Sequence, residues 1–331
     1  MEMLSTSDTD LEKAAVALAT GLIVAFPTET VYGLGADAFN QSALARIFEV
    51  KNRPRFDPLI IHIAGLETLW RIADESSLSK ATVERLSVLA KRLWPGPLTL
   101  ILPKRAEVPD LATSALATVA IRFPSHPVAQ KLIRLSTGAV AAPSANLFGS
   151  LSPTRAAHVK AQLGDKVDYI VDGGKTTVGL ESTVLDLSGD VPKILRQGGT
   201  EREKIETLIG HVELSCDSPS EAPLSPGQLK SHYAPRTPLV ICKRGEMDAT
   251  PFAPDEGRLY FSHPKTEGIL ADRARVLSET GNVTEAAANF FDCLHELDSL
   301  GLDFIRAEEA PANGLGEAIN DRLRRAASRS L

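Results

Sequence analysis

The sequence predicts an α/β protein with a larger first domain and a smaller second one. Its first two-thirds alternates short β-branched runs with stretches of helical periodicity, the pattern of strands joined by helices. A segment rich in serine and proline interrupts this pattern, and a second series of strand and helix candidates follows. The length of 331 residues is sufficient for two hydrophobic cores.

The first domain is predicted to cover residues 1–210. Its strand candidates are apolar runs at residues 22–26, 59–63, 98–102, 119–123, 139–142 and 182–187. Helical periodicity occurs at residues 11–20, 41–50, 80–93, 154–163 and 201–209. Thr154 and Thr200 are candidate caps for the last two helices, because a threonine hydroxyl can accept a hydrogen bond from the first helical turn.

Residues 211–238 are predicted to form a linker, since CDSPSEAPLSPGQLKSHYAPRTP holds five prolines, which fix φ and remove backbone donors. The second domain is predicted at residues 239–331. Its strand candidates are residues 239–242, 258–261 and 302–306, and its helix candidates are residues 283–297 and 315–327.

Composition excludes several classes of protein. No uncharged apolar run approaches the ~18 residues of a membrane helix, and the polar start MEMLSTSDTDLEK does not have the order of a secretory signal. Cys216, Cys242 and Cys293 are far apart and have no zinc-ligand spacing, which is typical of a reducing compartment. The formal charge of −6 comes entirely from residues after Gly210, so a general nucleic-acid coat is not predicted. We expect a cytoplasmic protein.

The segment KNRPRFDPL is a candidate phosphate-binding loop. Neither GxxxxGK[ST] nor GxGxxG occurs, so a nucleotide would have to be held in another way. Lys51, Arg53 and Arg55 lie between a helix and a strand in a segment stiffened by two prolines, and they could direct cations at one polyphosphate. A solvated charged loop is the other interpretation of the same residues.

Two further polar segments follow apolar strands, where α/β sheets commonly bind ligands. In FPTETVYGLGADA, Thr28, Glu29, Thr30 and Tyr32 are predicted to lie in a turn closed by Gly33 and Gly35. In PSANLFGSLSPT, Ser144, Asn146 and Ser152 offer hydroxyl and amide groups. A tight turn and a helix start, respectively, explain the same residues without a ligand.

His62, Arg122 and Arg196 each lie in or at the end of an apolar strand. A buried arginine needs an anionic partner, so these three residues suggest one anionic ligand. No GxSxG elbow and no glycine-flanked cysteine is present, so covalent nucleophilic catalysis is not predicted.

Taken together and in order, these segments resemble the YrdC-like family of threonylcarbamoyl-AMP synthases. The resemblance is carried by FPTETVYGLGADA, KNRP with DPLIIHI, WPGPLTLIL, TVAIRFPSHP, AAPSANLFGSLSPT, GLESTVLDL and ILRQGG. SPGQLKSHYAP and the closing GLGEAINDRLRRAA resemble the longer, two-domain form. The resemblance implies a YrdC-like twisted mixed sheet with helices, followed by a smaller Rossmann-like α/β domain.

The implied reaction converts L-threonine, bicarbonate and ATP to threonylcarbamoyl-AMP and pyrophosphate, with Mg²⁺ accompanying the ATP. Lys51 and Arg53 are the implied catalytic residues. By position in the motifs, the L-threonine contacts are Thr30, His62, Arg122, Ala142 and Ser182. The implied ATP contacts are Arg53, Asp57, Thr118, Ser144, Ser152, Arg196 and Tyr233, with Tyr233 folding back from the linker. Asp57 departs from the family pattern, in which asparagine is common at this position.

Other proteins are implied to transfer the threonylcarbamoyl group to the adenosine beside the anticodon, so tRNA is an indirect partner. Two alternatives remain open from the sequence. One is a module that binds double-stranded RNA, and the other is a carbamoyltransferase that acts through carbamoyl adenylate. The absence of a Cys-rich finger and of added domains distinguishes this chain from carbamoyltransferases of the hydrogenase-maturation type.

Overall fold

The computed structural model describes residues 1–215, 232–264 and 272–328. These residues form two sheets with helices packed against them. Cys216 and most of the predicted linker, residues 216–231, lie outside the described residues. Within the described ranges, no helix is both long enough and apolar enough to cross a membrane.

The first sheet is mixed and has eleven strands in the described part of the chain. They are β1 (Glu2–Leu4), β2 (Val24–Pro27), β3 (Tyr32–Asp37), β4 (Ile60–Ile63), β5 (Leu98–Pro103), β6 (Thr118–Arg122), β7 (Ala139–Ala141), β8 (Tyr169–Val171), β9 (Thr183–Asp186), β10 (Lys193–Arg196) and β11 (Glu213–Leu214). Their order is β1-β8-β2-β3-β7-β4-β6-β5-β9-β10-β11. The predicted boundary at Gly210 therefore precedes the last strand of this sheet.

The helices of the first part are α1 (Asp8–Ala19), α2 (Gln41–Lys51), α3 (Leu69–Ile72), α4 (Lys80–Leu93), α5 (Asp110–Thr113), α6 (Pro127–Leu135), α7 (Ala156–Leu163) and α8 (Arg202–Ile209). Asn40 and Ser79 cap α2 and α4, because each side chain accepts a hydrogen bond from the first turn. Every residue of β4 is buried, which explains why this strand reads as a continuous apolar run in the sequence.

Both predicted threonine caps are wrong. Helix α7 has Arg155 at its N-cap position, and Thr154 instead lies within 3.4 Å of the His158 ring through its hydroxyl. Helix α8 has Glu201 at its N-cap position. The backbone N–H of Thr200 donates to the Thr183 hydroxyl at 3.0 Å, so Thr200 is used to join α8 to β9.

The predicted turn in FPTETVYGLGADA is shorter than expected. Strands β2 and β3 form an antiparallel hairpin in which Pro27 pairs with Tyr32, so Gly33 and Gly35 lie in a strand. A Cβ atom on Gly35 would lie 2.7 Å from the Phe26 ring and 2.9 Å from Val140. The glycine is therefore needed for close packing inside the sheet and not for a turn.

The second sheet confirms the predicted Rossmann-like α/β unit. Its strands are β12 (Leu239–Cys242), β13 (Glu256–Ser262), β14 (Ala274–Ser278) and β15 (Phe304–Glu308), all parallel in the order β12-β15-β13-β14. Helices α9 (Val283–Asp298) and α10 (Leu315–Ala327) accompany it. Phe290 and Phe291 of α9 are fully buried in its core.

Helix α9 also packs against the first part through five polar residues that we call the interface cluster: Arg155, His158, Lys175, Asp292 and His295. Asp292 accepts two hydrogen bonds from Arg155, at 2.8 and 2.9 Å, and lies 2.9 Å from Lys175 Nζ. The rings of His158 and His295 stack with 3.8 Å between their centroids. These contacts fix α9 beside α7.

The interface cluster disfavours protonation of its histidines. Burial and the adjacent His295 ring lower the pKa of His158 to about 3, although Asp292 opposes this shift. Burial also lowers the pKa of His295. Burial raises the pKa of Asp292, but hydrogen bonds from Arg155 and Lys175 outweigh it and lower this pKa to about 2. At neutral pH the stacked rings are uncharged and Asp292 is ionised.

We predict that acidification weakens the fold through His158. Between pH 6.5 and 3 the unfolded chain binds more protons than the folded one, so stability falls as pH falls in this window. At pH 5 the loss from this residue is about 2 kcal/mol. His158→Phe keeps a stacking ring and should reduce the drop in Tm between pH 7 and pH 5, measured by calorimetry.

His211→Phe is the matched control, because the His211 side chain is 74% exposed. It should leave the pH dependence of Tm as in the wild type. If His158→Phe has the same dependence as the wild type, the interface cluster is not the acid-sensitive element.

Candidate functional site

One cavity of about 520 Å³, a volume that includes space open to solvent, collects the polar segments of the sequence. Its walls come from the β2–β3 hairpin, β4, β6, the segments that follow α2 and β7, and the region of β9 and β10. Its lining residues are Thr28, Thr30, Val31, Gly33, Arg53, Ile60, His62, Arg122, Ala142, Pro143, Ser144, Glu181, Ser182, Arg196, His232 and Tyr233.

Of the thirteen residues to which the resemblance assigns a catalytic or binding role, nine line this cavity and four do not. Those at the cavity are Thr30, Arg53, His62, Arg122, Ala142, Ser144, Ser182, Arg196 and Tyr233. Lys51, Asp57, Thr118 and Ser152 lie outside its lining. Thr118 begins β6 and Arg122 ends it, so these two Cα atoms are roughly 13 Å apart along the strand.

Arg53 is a buried cation held at the cavity by backbone oxygens and by Asp57. Its Nε donates to Asp57 O at 3.0 Å and its NH2 donates to Pro58 O at 2.8 Å. The same NH2 lies 2.9 Å from Asp57 Oδ2. Burial raises the pKa of Asp57, although Arg53 opposes that shift. The structure thus gives Asp57 an ion pair with Arg53 in place of a position in the cavity wall.

Lys51 ties two motif segments together and does not face the cavity. Its side chain is buried, and Nζ donates to Ser144 O at 2.6 Å and to Asn146 O. Burial, together with the nearby Arg53, lowers the pKa of Lys51 well below its ordinary value. The lysine therefore holds the segment after β7 against the end of α2.

Arg122 is the last residue of β6 and lines the cavity from a different chain segment than Arg53. Its NH1 donates to Thr30 Oγ1 at 2.9 Å and its NH2 donates to Glu29 Oε1 at 2.7 Å. Burial and the charge of Arg122 lower the pKa of the neighbouring His62 to about 3, so this histidine is neutral at pH 7. A neutral imidazole beside an arginine can hydrogen-bond a ligand without adding charge.

Arg196 is fixed by Ser182. Its Nε and NH2 donate to Ser182 O at 3.2 and 2.9 Å, and NH2 also approaches Ser182 Oγ at 3.2 Å. Thr99 supports the same serine, with 2.7 Å between the two hydroxyl oxygens. Burial lowers the pKa of Arg196, but a guanidinium remains charged at neutral pH.

The second unit contacts the wall of the cavity through Arg322 of α10. This side chain is fully buried, and its Nε donates to Glu181 Oε2 at 3.0 Å. Glu181 Oε1 accepts a short hydrogen bond from Ser152 Oγ. Ser152 is therefore occupied by a carboxylate in this structure. The Arg322 guanidinium also lies 4.9 Å from the centroid of the Tyr233 ring.

Residues 232–234, in the last part of the predicted linker, pack against the segment that follows β7. Ala234 N–H donates to Gly149 O at 2.9 Å, and the His232 ring packs edge-on against Phe148. Burial lowers the pKa of His232 well below its ordinary value. Among the described residues, Tyr233 OH and His232 Nδ1 have no hydrogen-bond partner, although both are buried. Such groups indicate a missing polar partner.

Sequence reasoning assigned no role to three residues in or behind the cavity wall, Glu29, Glu181 and Arg322. Glu29 and Glu181 lie inside segments that were recognised as motifs, and their positions beside hydroxyl-rich residues could have drawn attention to them. Arg322 lies in one of the segments that carried the resemblance, but no local pattern indicates that α10 packs against Glu181.

Two family models match the chain. One, described as "Telomere recombination" and covering Sua5, YciO and YrdC, matches residues 16–198. The other, described as "Threonylcarbamoyl-AMP synthase, C-terminal domain", matches residues 200–328.

Curated relatives are similar over nearly the whole chain. A threonylcarbamoyl-AMP synthase of Bacillus subtilis is 42% identical and covers 98% of this chain and 94% of its own. A threonylcarbamoyl-AMP synthase of Pyrococcus abyssi is 43% identical, and the match covers 95% of this chain and 92% of the relative.

Solved structures are similar as well. The crystal structure of P. abyssi Sua5 complexed with L-threonine has a TM-score of 0.91 and 39% identity, and covers 100% of this chain and 98% of its own. A variant of P. abyssi Sua5 with one histidine and one tyrosine changed to alanine has a TM-score of 0.88 and 38% identity, and covers 100% and 97%.

We predict that Lys51→Met destabilises the protein by roughly 2–4 kcal/mol, because it leaves the carbonyls of Ser144 and Asn146 buried without their donor. Urea unfolding measures this loss. Lys91→Met is the control, since Lys91 is exposed on α4, and it should change the free energy of unfolding by less than about 0.5 kcal/mol. Equal stability of the two variants would show that Lys51 has no tethering role.

Proposed function

The chain belongs to the threonylcarbamoyl-AMP synthase family, and from this premise we propose how its cavity converts L-threonine, bicarbonate and ATP to threonylcarbamoyl-AMP and pyrophosphate. The observation that carries the proposal is the convergence of Arg53, Arg122 and Arg196 on one cavity. An amino-acid carboxylate and a triphosphate together need several cations in one partly desolvated space.

The amino acid is proposed to bind at the Arg122 end. Arg122 pairs with the carboxylate of L-threonine, and Thr30, His62 and the backbone of Ala142 surround the rest of the molecule. The neutral His62 suits a hydroxyl or an amine, since it adds no charge to the pocket. Ser182 lies between this end and Arg196, where the amino group would face the nucleotide.

ATP is proposed to bind at the Arg53 and Arg196 end, with Ser144 and Tyr233 as further contacts. The amine of threonine combines with bicarbonate, losing water, to give a carbamate. A carbamate oxygen then attacks the α-phosphorus, and the bond to the bridging oxygen breaks as pyrophosphate leaves with the electron pair. Arg53 and Arg196 offset the charge that accumulates on the phosphates, so the reaction needs position and charge and no covalent enzyme intermediate.

Magnesium is proposed to enter as the complex with ATP. Across the described residues, no cluster of three or more His, Cys, Asp or Glu side chains is arranged to hold a metal ion. The nearby carboxylates are engaged, Asp57 with Arg53 and Glu181 with Arg322. The residues thus do not fit a resident magnesium site, and we assign no step to a metal held by the protein.

The second unit is proposed to keep Tyr233 over the cavity. Arg322 contacts both the Tyr233 ring and Glu181, so α10 fixes the returning segment and one wall of the site together. We further propose the domain division 1–210, 211–238 and 239–331, in which β11 of the middle segment adds the last strand to the first sheet. We also propose a cytoplasmic location and transfer of the product by other proteins to tRNA, beside the anticodon.

Release of pyrophosphate, with threonine, bicarbonate and ATP omitted in turn, tests the reaction. We predict release only when all three are present, with threonylcarbamoyl-AMP identified by mass spectrometry. Activity with carbamoyl phosphate in place of threonine and bicarbonate would instead identify a carbamoyltransferase. Binding of double-stranded RNA without any pyrophosphate release would identify an RNA-binding module.

We predict that Tyr233→Phe raises the KM for ATP roughly tenfold, the effect of losing one hydrogen bond to a charged group. Because this hydroxyl has no partner in the described structure, its removal should leave Tm unchanged. Tyr260→Phe is the control, since its hydroxyl lies 3.2 Å from Arg258 NH1 in the second unit. It should lower Tm and leave the KM unchanged. An unaltered KM in Tyr233→Phe would exclude the hydroxyl from the nucleotide site.

A further inference from the structure

Glu29 is a buried carboxylate directly behind the cavity wall, and the reaction described above gives it no role. It is 4% exposed and lies in the turn between β2 and β3, between two residues, Thr28 and Thr30, that line the cavity. A buried carboxylate is costly unless it is paired and hydrogen-bonded, so its contacts indicate what it does.

Both carboxylate oxygens of Glu29 accept hydrogen bonds, one from Arg122 and one from a residue close to it in the sequence. Oε1 accepts from Arg122 NH2 at 2.7 Å, and Oε2 accepts from the backbone N–H of Ser125 at 3.1 Å. Thr30 Oγ1 holds the other terminal nitrogen of the guanidinium, NH1, at 2.9 Å. Arg122 Nε has no hydrogen-bond partner in the described part of the chain. The pair of anchors thus sets the orientation of the guanidinium and leaves Nε for a ligand.

The turn that carries Glu29 is held by hydrogen bonds of Thr28. Thr28 Oγ1 donates to Val31 O at 2.7 Å, accepts from the backbone N–H groups of Thr30 and Val31 at 3.2 and 3.3 Å, and lies 2.8 Å from Thr30 Oγ1. These contacts hold Thr30 Oγ1 in the position where it accepts from Arg122 NH1.

The charges of Arg122 and of the carboxylate paired with it cancel. Arg122 contributes +1, Glu29 contributes −1, and the adjacent His62 is neutral at pH 7. A ligand whose own charges also cancel loses less on entering such a site than one with an uncompensated charge. An amino acid with both its ammonium and carboxylate groups fits this condition, and a carboxylic acid without an amine does not.

We propose that Glu29 is a positioning residue: it fixes Arg122 toward the carboxylate of L-threonine and makes this end of the cavity selective for the zwitterion. The proposal rests on the proposed function, because it takes L-threonine as the ligand. Glu29, although outside the cavity lining, would therefore determine both the affinity for L-threonine and the preference for a zwitterion over an anion.

Calorimetric titration without ATP tests this proposal, with L-threonine and with 3-hydroxybutyrate, which has the same carboxylate and hydroxyl but no amine. The wild type should bind threonine at least about tenfold more tightly than 3-hydroxybutyrate. Glu29→Gln should weaken threonine binding about tenfold or more, and it should reduce the ratio between the Kd for 3-hydroxybutyrate and the Kd for threonine. Glu29→Asp keeps the negative charge, so it should keep this ratio even if both ligands bind more weakly.

Glu256→Gln is the matched control, because Glu256 is equally buried and paired with Arg258, but in the second sheet. It should lower Tm without changing either ligand's affinity. Unchanged affinity for threonine in folded Glu29→Gln would overturn the proposal. Weaker binding of threonine with an unchanged ratio of the two Kd values would also overturn it, because an ion pair that only stabilises the fold would give that result. If Glu29→Gln does not fold, the wild type and Glu29→Asp decide, and equal wild-type affinity for both ligands also overturns it.

Threonine binding and pyrophosphate release are measured separately, so the role of Glu29 and the proposed reaction can fail independently. If the wild type binds threonine with the expected preference but releases no pyrophosphate, the synthase reaction fails and the role of Glu29 stands. In a synthase that works, Glu29→Gln should raise the KM for threonine and leave the KM for ATP within about twofold.

Discussion

Burial of several cations around a single cavity is the constraint on which the rest of this structure depends. A guanidinium withdrawn from water must keep its hydrogen bonds, and each of the three cavity arginines keeps them in a different way. Arg53 uses Asp57 and two backbone carbonyls, Arg122 uses Glu29 and Thr30, and Arg196 uses Ser182. The three arginines themselves come from separate chain segments, so the sheet must bring the end of α2, β6 and the β9–β10 region together to form one cavity.

The same anchors set the charge at the two proposed ligand positions. At the Arg122 end a carboxylate and a neutral histidine leave no net charge, which suits an amino acid. At the proposed nucleotide position Arg53, paired with Asp57, and Arg196, held by Ser182, both line the cavity, and two guanidinium groups suit a polyphosphate. Tyr233 also lines the cavity, and its ring lies 4.9 Å from the guanidinium of Arg322 in α10. The second unit thus completes a site whose chemistry lies in the first.

The sequence predicted the helices and strands better than it predicted the side-chain contacts between them. Helix α4 and helix α10 were predicted with their observed bounds, because period and flanking residues define them locally. The caps at Thr154 and Thr200 were wrong because tertiary hydrogen bonds to His158 and Thr183 take those threonines. Nine of the thirteen residues assigned a role by the resemblance line the cavity, since the motifs follow strands whose ends meet. The ion pairs of Glu29 with Arg122 and of Glu181 with Arg322 could not be predicted, because each joins segments far apart in the sequence that only the packed structure brings into contact. The pair of Arg53 with Asp57 is local, since the two residues are four positions apart.

A crystal structure with L-threonine and a non-hydrolysable ATP analogue bound together tests the central claim most directly. The account predicts the threonine carboxylate within hydrogen-bonding distance of Arg122 Nε and the phosphates between Arg53 and Arg196, with the α-phosphorus toward the amine. Threonine and phosphates in separate cavities, or a carboxylate bound away from Arg122, would contradict it.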